Sequence, residues 1–297
     1  MDRRSFLLTA AAVPFALRAG RPLAYVTADT DSHVAVVDTA HGLVLHRIRT
    51  RPDPRSVQRV GGTVVVTHTA VGAVSVLDGL DVRHVVDGFE EPRYTAGSPD
   101  GRYAFVTDSG RIEVAVVDVV RGVVAGRVRL KLWPRHVAIS PDGRTLWVGL
   151  GTASPEVAVV DVRDPTRPRL RKYVKPVFAA HDVGFAPSGR IWVTAGEERR
   201  ISGHGRILAA GAAPQHVTFL AGRAFVTSGN DGTLQVYDEP TARLLHTSRV
   251  PVGSYNVQFL GGRVLTPSLN VGTLCVVGTD GQLLSRTRVA PSCHDAA

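Results

Sequence analysis

The sequence predicts an all-β protein, a seven-bladed β-propeller, from three observations. A short apolar strand that ends in aspartate recurs at intervals of 40, 40, 43 and 77 residues, and the last interval is close to twice the others. No stretch beyond the N-terminus has the periodicity of an amphipathic helix. Units of about 40 residues with four short strands are typical of propeller blades. The strands end at Asp38, Asp78, Asp118, Asp161 and Asp238.

Two further units lack the aspartate. One covers residues 190–211, inside the long interval, and the other has Gly278 where the aspartate would stand. The preceding strand of each unit supplies a second marker, a threonine with one glycine in the series: Thr27, Thr67, Thr107, Gly149, Thr194, Thr227 and Thr266. Seven units fill residues 20–297. A β-solenoid is the alternative architecture, although its repeats are usually shorter.

Turn sequences separate the strands within each unit. Two copies of Ser-Pro-Asp-Gly, at 98–101 and 140–143, and the related stretch 186–189 combine a proline that presets one turn angle with a glycine that tolerates the other. The repeated aspartates stand directly before such turns. We therefore expect Asp38 and its copies to accept hydrogen bonds from turn amides, and we assign them no catalytic role.

The order of strands predicts how the ring closes. The first unit begins with the second-strand motif at residues 23–27, and no inner strand precedes it. A candidate for the missing strand lies at the other end of the chain, at residues 293–297. We expect this C-terminal segment to become the inner strand of the first blade, which would leave no open sheet edge at the seam.

The first 19 residues differ in kind from the repeats. Arg3 and Arg4 precede an apolar stretch that ends near Leu17, and small residues follow. This arrangement resembles a twin-arginine export signal, and the stretch is too short for a permanent membrane anchor. We expect an exported protein, periplasmic or extracellular, without a permanent membrane span; a basic, disordered start is the alternative.

The repeats resemble a known family. The strands at 25–27 and 34–38, and the segment Pro134–Gly143 with its pattern P-x-x-V-x-x-S-P-D-G, are similar to YVTN-family β-propeller repeats. The same superfamily includes the propellers of nitrous-oxide reductase and of the methylamine dehydrogenase heavy chain. The asparagine that ends the family motif is replaced here by Ala28, His68 or Asp108. The resemblance implies a secreted or periplasmic propeller but no particular activity.

Composition narrows the possible partners. The net charge is +9, and almost all cationic residues are arginines spread along the chain rather than gathered in a run. Nucleic acid is therefore an unlikely partner, and an anionic small molecule or a protein is the more natural one. Only Cys275 and Cys293 are present, so at most one disulfide could form. Phosphate-loop, nucleophile-elbow, zinc-protease and haem-attachment motifs are absent from the sequence.

Strand direction predicts which residues share a face. Alternate strands run in opposite directions, so the starts of all inner strands gather on one face, which we call the upper face, around the central channel. The Ser-Pro-Asp-Gly turns then mark the lower face. Candidate ligand-binding residues on the upper face are Arg55, Arg93, Tyr94, Trp133, Arg135, Tyr255 and Asn256. Candidate metal ligands are His136, His181, Asp182, His216, Cys293 and His294.

The metal hypothesis depends on register. Residues 134–137 and 214–217 place His136 and His216 at equivalent positions two blades apart, and His181 or Asp182 comes from the blade between them. Imidazole with thiolate or carboxylate suits zinc or copper. His181 is one position out of register with the other two. The alternative is that these polar residues only bond to adjacent loops.

Two functions follow as hypotheses. The first is a non-enzymatic binding or scaffold protein, expected to be a monomer, that uses its upper face and the positive rim of Arg55, Arg93 and Arg135. The second is a zinc- or copper-dependent enzyme or redox protein with its site at the channel mouth. Retention of a stoichiometric metal would separate them.

Overall fold

The computed structural model describes residues 22–297, and the predicted export signal lies outside the described residues. Residues 22–297 form 27 strands and one short 3₁₀ helix, Thr69–Val71. In chain order the strands are β1 Leu23–Ala28, β2 His33–Asp38, β3 Leu43–Arg49, β4 Pro54–Val60, β5 Thr63–His68, β6 Ala73–Asp78, β7 Asp81–Val86, β8 Pro92–Gly97, β9 Tyr103–Asp108, β10 Glu113–Asp118, β11 Val123–Arg129, β12 Pro134–Ile139, β13 Thr145–Leu150, β14 Val157–Asp161, β15 Arg169–Val174, β16 Asp182–Phe185, β17 Ile191–Thr194, β18 Arg200–Gly203, β19 Arg206–Ala209, β20 Pro214–Leu220, β21 Arg223–Ser228, β22 Thr233–Asp238, β23 Leu244–Arg249, β24 Gln258–Leu260, β25 Arg263–Pro267, β26 Thr273–Val277 and β27 Leu283–Arg288.

These strands form seven antiparallel sheets, which confirms the predicted seven-bladed propeller. Six sheets have four strands in sequential order, and the sheet of blade 1 has only β1, β2 and β3. The C-terminal segment completes that blade, as predicted. Ala297 exchanges two backbone hydrogen bonds with Tyr25, of 2.7 and 2.9 Å, and the amide of Thr27 donates to Asp295 at 2.9 Å. The described chain therefore closes as a ring.

Apolar side chains on both faces of the second and third strands pack between neighbouring blades. Each blade is too thin to bury its own surface, so valine and alanine alternate towards the two adjacent blades. Strand β10 shows this, because Val114 and Val116 belong to one hydrophobic cluster and Ala115 and Val117 belong to the next. Trp192 is buried in another such cluster.

The repeated threonines tie each blade to the next. Thr27 donates to the carbonyl of Arg55 at 3.1 Å, and Thr67 donates to that of Arg93 at 3.0 Å. Each acceptor lies at the start of the following inner strand. The same bond recurs from Thr107 to Arg135, from Thr194 to Gln215 and from Thr227 to Tyr255. The repeat pattern thus includes a hydrogen bond between blades, and not only a strand signal.

Two of the seven interfaces lack this threonine. Gly149 occupies the position in blade 4, where an added Cβ would lie 3.3 Å from the carbonyl oxygen of His181. In blade 7 the prediction of Thr266 was wrong by one residue, because Pro267 pairs with Leu274 as Thr227 pairs with Leu234. Proline cannot donate a hydrogen bond. Between blades 7 and 1, Asn256 supplies the hydrogen bond instead, because its Nδ2 donates to the carbonyl of His294 at 2.6 Å.

Four of the five repeated aspartates accept hydrogen bonds from turn amides, as expected, whereas Asp78 instead forms an ion pair with Arg83. Asp38 accepts from the amide of Ala40 at 2.9 Å, and Asp118 accepts from that of Val120 at 3.1 Å. Burial opposes ionisation of Asp118, but the bonds from turn amides and Arg102 outweigh it and hold its pKa below the usual value. These aspartates stabilise turns. No helix in residues 22–297 has the length and apolar character needed to cross a membrane.

Candidate metal centre in the central channel

The starts of the inner strands build two rings of side chains around the channel. The inner ring pairs with the threonine positions of the second strands; for example, the amide of Asp182 donates to Thr194 and that of Tyr94 donates to Thr107, both at 3.1 Å. We define the inner ring, one residue per blade from blade 1, as Asp295, Ser56, Tyr94, His136, Asp182, His216 and Asn256. The residue before each of these forms the rim ring: His294, Arg55, Arg93, Arg135, His181, Gln215 and Tyr255.

The register of the C-terminal segment differs by one residue from the prediction. The amide of Asp295 donates to Thr27 at 2.9 Å, which is the bond that defines the inner ring in the other blades. His294 is therefore a rim residue, and Cys293 lies one position earlier, in the apolar core between blades 7 and 1. Burial raises the pKa of the Cys293 thiol to about 12, and both cysteines are free. This placement corrects the expectation that Cys293 faces the channel, because it separates the thiol from the histidines.

Three of the predicted ligands come together. His136, His181 and His216, from blades 4, 5 and 6, each offer a ring nitrogen, and the three nitrogens lie within 4.8 Å of one another. The Nε2 atoms of His136 and His181 are 3.1 Å apart. Two nitrogens on one tetrahedral Zn²⁺, each at its usual bond length, would be about 3.3 Å apart. The nitrogens of His136 and His181 are therefore already close to the spacing that one ion requires.

The hydrogen bond on the far side of its ring orients His181. Its Nδ1 lies 2.8 Å from the carbonyl oxygen of Thr152, which can only accept, so Nδ1 carries the proton and the lone pair is on Nε2. Gly196, with φ at 72°, packs against this ring, and a Cβ there would lie 2.7 Å from the ring Nδ1. The one-residue difference in register does not separate the rings, because His181 reaches its partners from the rim ring while the others lie on the inner ring.

A carboxylate orients His216 in a similar way. Its Nδ1 lies 3.3 Å from Oδ2 of Asp182, so the proton is on Nδ1 and the free lone pair is on Nε2. That Nε2 atom is buried and has no hydrogen-bond partner in the part of the chain that the structure describes. Metal-binding histidines characteristically have such an outer partner on the second nitrogen. Asp182 therefore acts on His216 rather than as a fourth ligand.

The surroundings favour neutral imidazoles. Burial, and then the neighbouring His216 and His181, hold the pKa of His136 well below its usual value. Burial also lowers the pKa of His181 to about 4, and His216 and Arg135 contribute in the same direction. Metal ions bind the unprotonated ring, so these two ligands need lose no proton at neutral pH.

His294 and Asp295, in blade 1, lie outside the three-histidine group. The Nδ1 of His294 lies 3.3 Å from Nδ2 of Asn256. Asp295 accepts hydrogen bonds from the amides of Val57 and Ala296, at 3.0 and 2.9 Å, and burial raises its pKa to about 6. The sequence prediction did not include Asp295. The repeated His-Asp dipeptide, 181–182 and 294–295, is the signal that could have identified it.

The candidate ligand-binding residues divide between both rings. Arg55, Arg93 and Arg135 occupy consecutive rim positions, and each has a buried Nε atom without a hydrogen-bond partner within residues 22–297. Tyr94 lies on the inner ring, its ring centroid 4.0 Å from that of His136. Outside this pair of rings, Trp133 is 39% exposed on the upper face and packs beside Gly151.

Tyr255 and Asn256 belong to blade 7 and have structural partners. The ring of Tyr255 packs against Gly229, and its hydroxyl lies 3.0 Å from Oδ1 of Asn230. Asn256 holds the carbonyl of His294 at the seam. Both of these predicted ligand-binding residues therefore already have hydrogen-bond partners within the protein.

The fold and the two rings define the class of protein: a seven-bladed β-propeller with a polar channel lined by histidines. The curated mycobacterial protein called Seven-bladed beta-propeller protein Rv1057, from Mycobacterium tuberculosis, is 31% identical over 140 residues. This match covers 44% of the present chain and 36% of the mycobacterial protein, so it spans little more than a third of that relative. No protein-family model matches the chain.

Solved propellers share the architecture at low identity. Apo AztD from Citrobacter koseri superposes with a TM-score of 0.70 and 12% identity, over 93% of this chain and 98% of that one. A functionally unknown protein from Desulfotomaculum acetoxidans superposes with a TM-score of 0.74 and 12% identity, over 93% of this chain and 98% of that one. Hydrazine synthase from Kuenenia stuttgartiensis superposes with a TM-score of 0.67 and 15% identity, over 82% of this chain and 88% of that one. At these identities the similarity shows the fold alone.

Proposed function

We propose that this propeller is a metal-binding protein that holds one zinc or copper ion with His136, His181 and His216. The observation that carries the proposal is the convergence of three imidazole nitrogens within 4.8 Å, from three consecutive blades, at a buried end of the channel. The outer bonds of His181 and His216 support it, because they aim the lone pairs of both rings at the shared space. An all-histidine set suits Zn²⁺ or Cu²⁺ better than the hard cations.

Elemental analysis of the folded, chelator-treated and reloaded protein tests the proposal. We expect about one equivalent of zinc or copper in the wild type and a large loss in His216→Ala. His246→Ala is the matched control, because His246 lies on the outer strand β23. Less than about a tenth of an equivalent in the wild type would contradict the proposal. A full equivalent that survives His216→Ala would place the ion elsewhere.

A second candidate function is recognition of an anionic partner by the upper face. The unpartnered Nε atoms of Arg55, Arg93 and Arg135 favour it, because a buried guanidinium N–H without an acceptor costs free energy that an incoming anion would recover. We expect the triple substitution to glutamine to reduce capture of anionic partners. The Arg206→Gln/Arg243→Gln/Arg249→Gln variant, altered in the outer part of the propeller, serves as control. Equal capture by both variants would exclude this face.

The export route and kinship remain part of the proposal. The twin-arginine pattern at Arg3 and Arg4 supports export in the folded state, which would allow the ring to close and load its ion before transport. The strand and turn motifs support kinship with YVTN-type propellers. Replacement of both arginines by lysine should leave the protein in the cytoplasm, and fractionation of expressing cells measures this; unchanged export would contradict it.

A further inference from the structure

A cavity of about 400 Å³ occupies the channel directly below the inner ring. All seven inner-ring residues line it, and none of the rim residues does. Its lining extends down to Pro99, Pro141 and Pro187, which are exposed in the turns of the lower face. The cavity therefore opens towards the lower face, and its closed end lies at the histidines. The sequence suggested the opposite, upper face as the binding side.

Small side chains at one depth create this space. Side chains two positions apart on a strand share a face, so the residues that follow the inner ring by two form the next layer down the channel. In blades 3 and 4 these are Ala96 and Ala138, and both line the cavity. The same two blades supply Tyr94 and His136 above them. Short side chains therefore line the cavity beneath the metal centre.

The upper end is closed by packed rings. The ring centroid of Tyr94 lies 4.0 Å from that of His136 and 5.6 Å from that of His216, while His136 and His216 are 4.4 Å apart. Three histidines leave a tetrahedral ion one further position. With the upper side filled, that position faces the cavity.

The wall below the ring carries no charge. Asp182 and Asp295 are the only charged side chains that line the cavity, and both accept hydrogen bonds from backbone amides. The other lining residues are uncharged, with polar groups such as Gln58 and Gln258 and the aromatic ring of Phe259 near the mouth. Such a wall fits a molecule with an uncharged, partly apolar body.

The charge above the ring favours an anionic head group. Arg55 and Arg135 lie on the rim immediately above the inner ring, and neither forms an ion pair within the described part of the chain. Their positive field adds to that of a bound divalent ion at the closed end of the cavity. A divalent ion and these two guanidinium groups outweigh the carboxylates of Asp182 and Asp295 on the inner ring. An oxygen anion would therefore be stabilised next to the ion.

We propose that the cavity binds a small monocarboxylic acid, which enters from the lower face and places its carboxylate at the open position of the ion, with its uncharged body beside Ala96 and Ala138. This inference rests on the proposed metal centre. It adds to that centre a ligand class, an entry side and a set of residues that define the space for the ligand.

Titration of the Co²⁺-loaded protein with benzoate tests the inference, because a carboxylate that enters the cobalt coordination sphere changes the visible absorption bands. We expect saturable binding of benzoate. Acetate should bind at least tenfold more weakly, because it has only a methyl group to bury in the cavity. Ala138→Phe should fill the cavity and weaken benzoate binding more than tenfold, with cobalt stoichiometry unchanged. Trp133→Ala, on the upper face, should bind benzoate as the wild type does.

The outcomes separate the two proposals. Failure of the wild type to bind cobalt would overturn the metal centre and this inference together. Full cobalt binding without a spectral response to benzoate would overturn the inference alone. So would a Trp133→Ala variant that weakens benzoate binding while Ala138→Phe does not, because entry would then be from the upper face. Unfolding of Ala138→Phe would be recognised by loss of cobalt, and Ala96→Leu then provides the second test of the filled cavity.

Discussion

The His-Asp pair occurs twice in this ring, at residues 181–182 in blade 5 and 294–295 in blade 1, and the two copies have different chemistry. Both pairs occupy the same register, histidine on the rim and aspartate on the inner ring. In blade 5 the flanking inner-ring residues are His136 and His216, and three imidazoles converge. In blade 1 they are Asn256 and Ser56, and the pair closes the ring instead. The neighbouring blades therefore decide what the dipeptide does.

The same contrast explains the two aspartates. Each carboxylate accepts a hydrogen bond from one backbone amide of its own strand and from one backbone amide of the next blade. The amide in the next blade is that of Val217 for Asp182 and that of Val57 for Asp295. Only Asp182 has a histidine on the next blade to orient. The same dipeptide thus orients a histidine of the proposed metal site in one blade and forms part of the seam in another.

Removal of the two rim histidines gives the largest expected difference. His181→Ala should weaken zinc binding by more than about 100-fold, since loss of an outer partner alone costs about 10- to 100-fold. His294→Ala should leave zinc affinity within about twofold of the wild type. Competition with a chromophoric zinc chelator measures both. Equal losses would mean that the site extends to blade 1.

A smaller difference is expected between the aspartates. Asp182→Asn should weaken zinc binding about 10- to 100-fold, because His216 loses the carboxylate that fixes its tautomer. Asp295→Asn is the matched variant, since it perturbs two backbone amides in the same way without a histidine partner. The same competition assay applies. Comparable affinities for the two variants would remove Asp182 from the outer shell.

Asp295 should instead control the pH dependence of stability. Its pKa is about 6 in the folded protein, because of burial, against about 3.9 when unfolded. The folded state therefore binds more protons between these values, and the contribution of this carboxyl group to wild-type stability falls as pH rises through this window. Asp295→Asn lacks this titration. Its stability relative to wild type should rise by about 1 kcal/mol between pH 5 and pH 8.

Urea unfolding of the metal-free proteins at both pH values measures this change, and only the difference between variant and wild type is needed. The histidines with lowered pKa act in the opposite direction, but they are common to both proteins. A constant difference across the range would show that the Asp295 carboxyl titrates normally in the folded state.

The smallest expected effect concerns the bonds between blades. Thr107→Val removes the hydroxyl that donates to the carbonyl of Arg135 at 2.6 Å and accepts from the amide of Tyr94 at 3.1 Å. The loss should cost at least about 1 kcal/mol of unfolding free energy. Thr95→Val is the control, since the Thr95 hydroxyl is buried without a partner within residues 22–297. Denaturant unfolding compares them. If Thr95→Val loses as much unfolding free energy as Thr107→Val, the effect comes from packing and not from the hydrogen bond.

Much of the fold could be predicted because a propeller repeats one local pattern. The intervals between Asp38, Asp78 and Asp118 gave the blade length, and the absence of an inner strand before residue 23 predicted closure by the C-terminus. The prediction was wrong where the repeat is irregular: Thr266 stands one residue away from the blade-linking position, and Cys293 one residue before the rim. A shift of one residue moves a strand side chain to the other face of the sheet. The Cys293 thiol therefore lies in the core instead of the channel.

The sequence by itself determined the all-β class, the seven blades and the set of polar residues that begin the inner strands. These depend on the spacing of strands and turns, which is local. The tertiary structure decided which of those residues meet. His181 joins His136 and His216 from a different ring, and its lone pair is set by the carbonyl of Thr152. The cavity beneath them reaches the turns of the lower face. Contacts between blades depend on the ring as a whole, and no single repeat contains them.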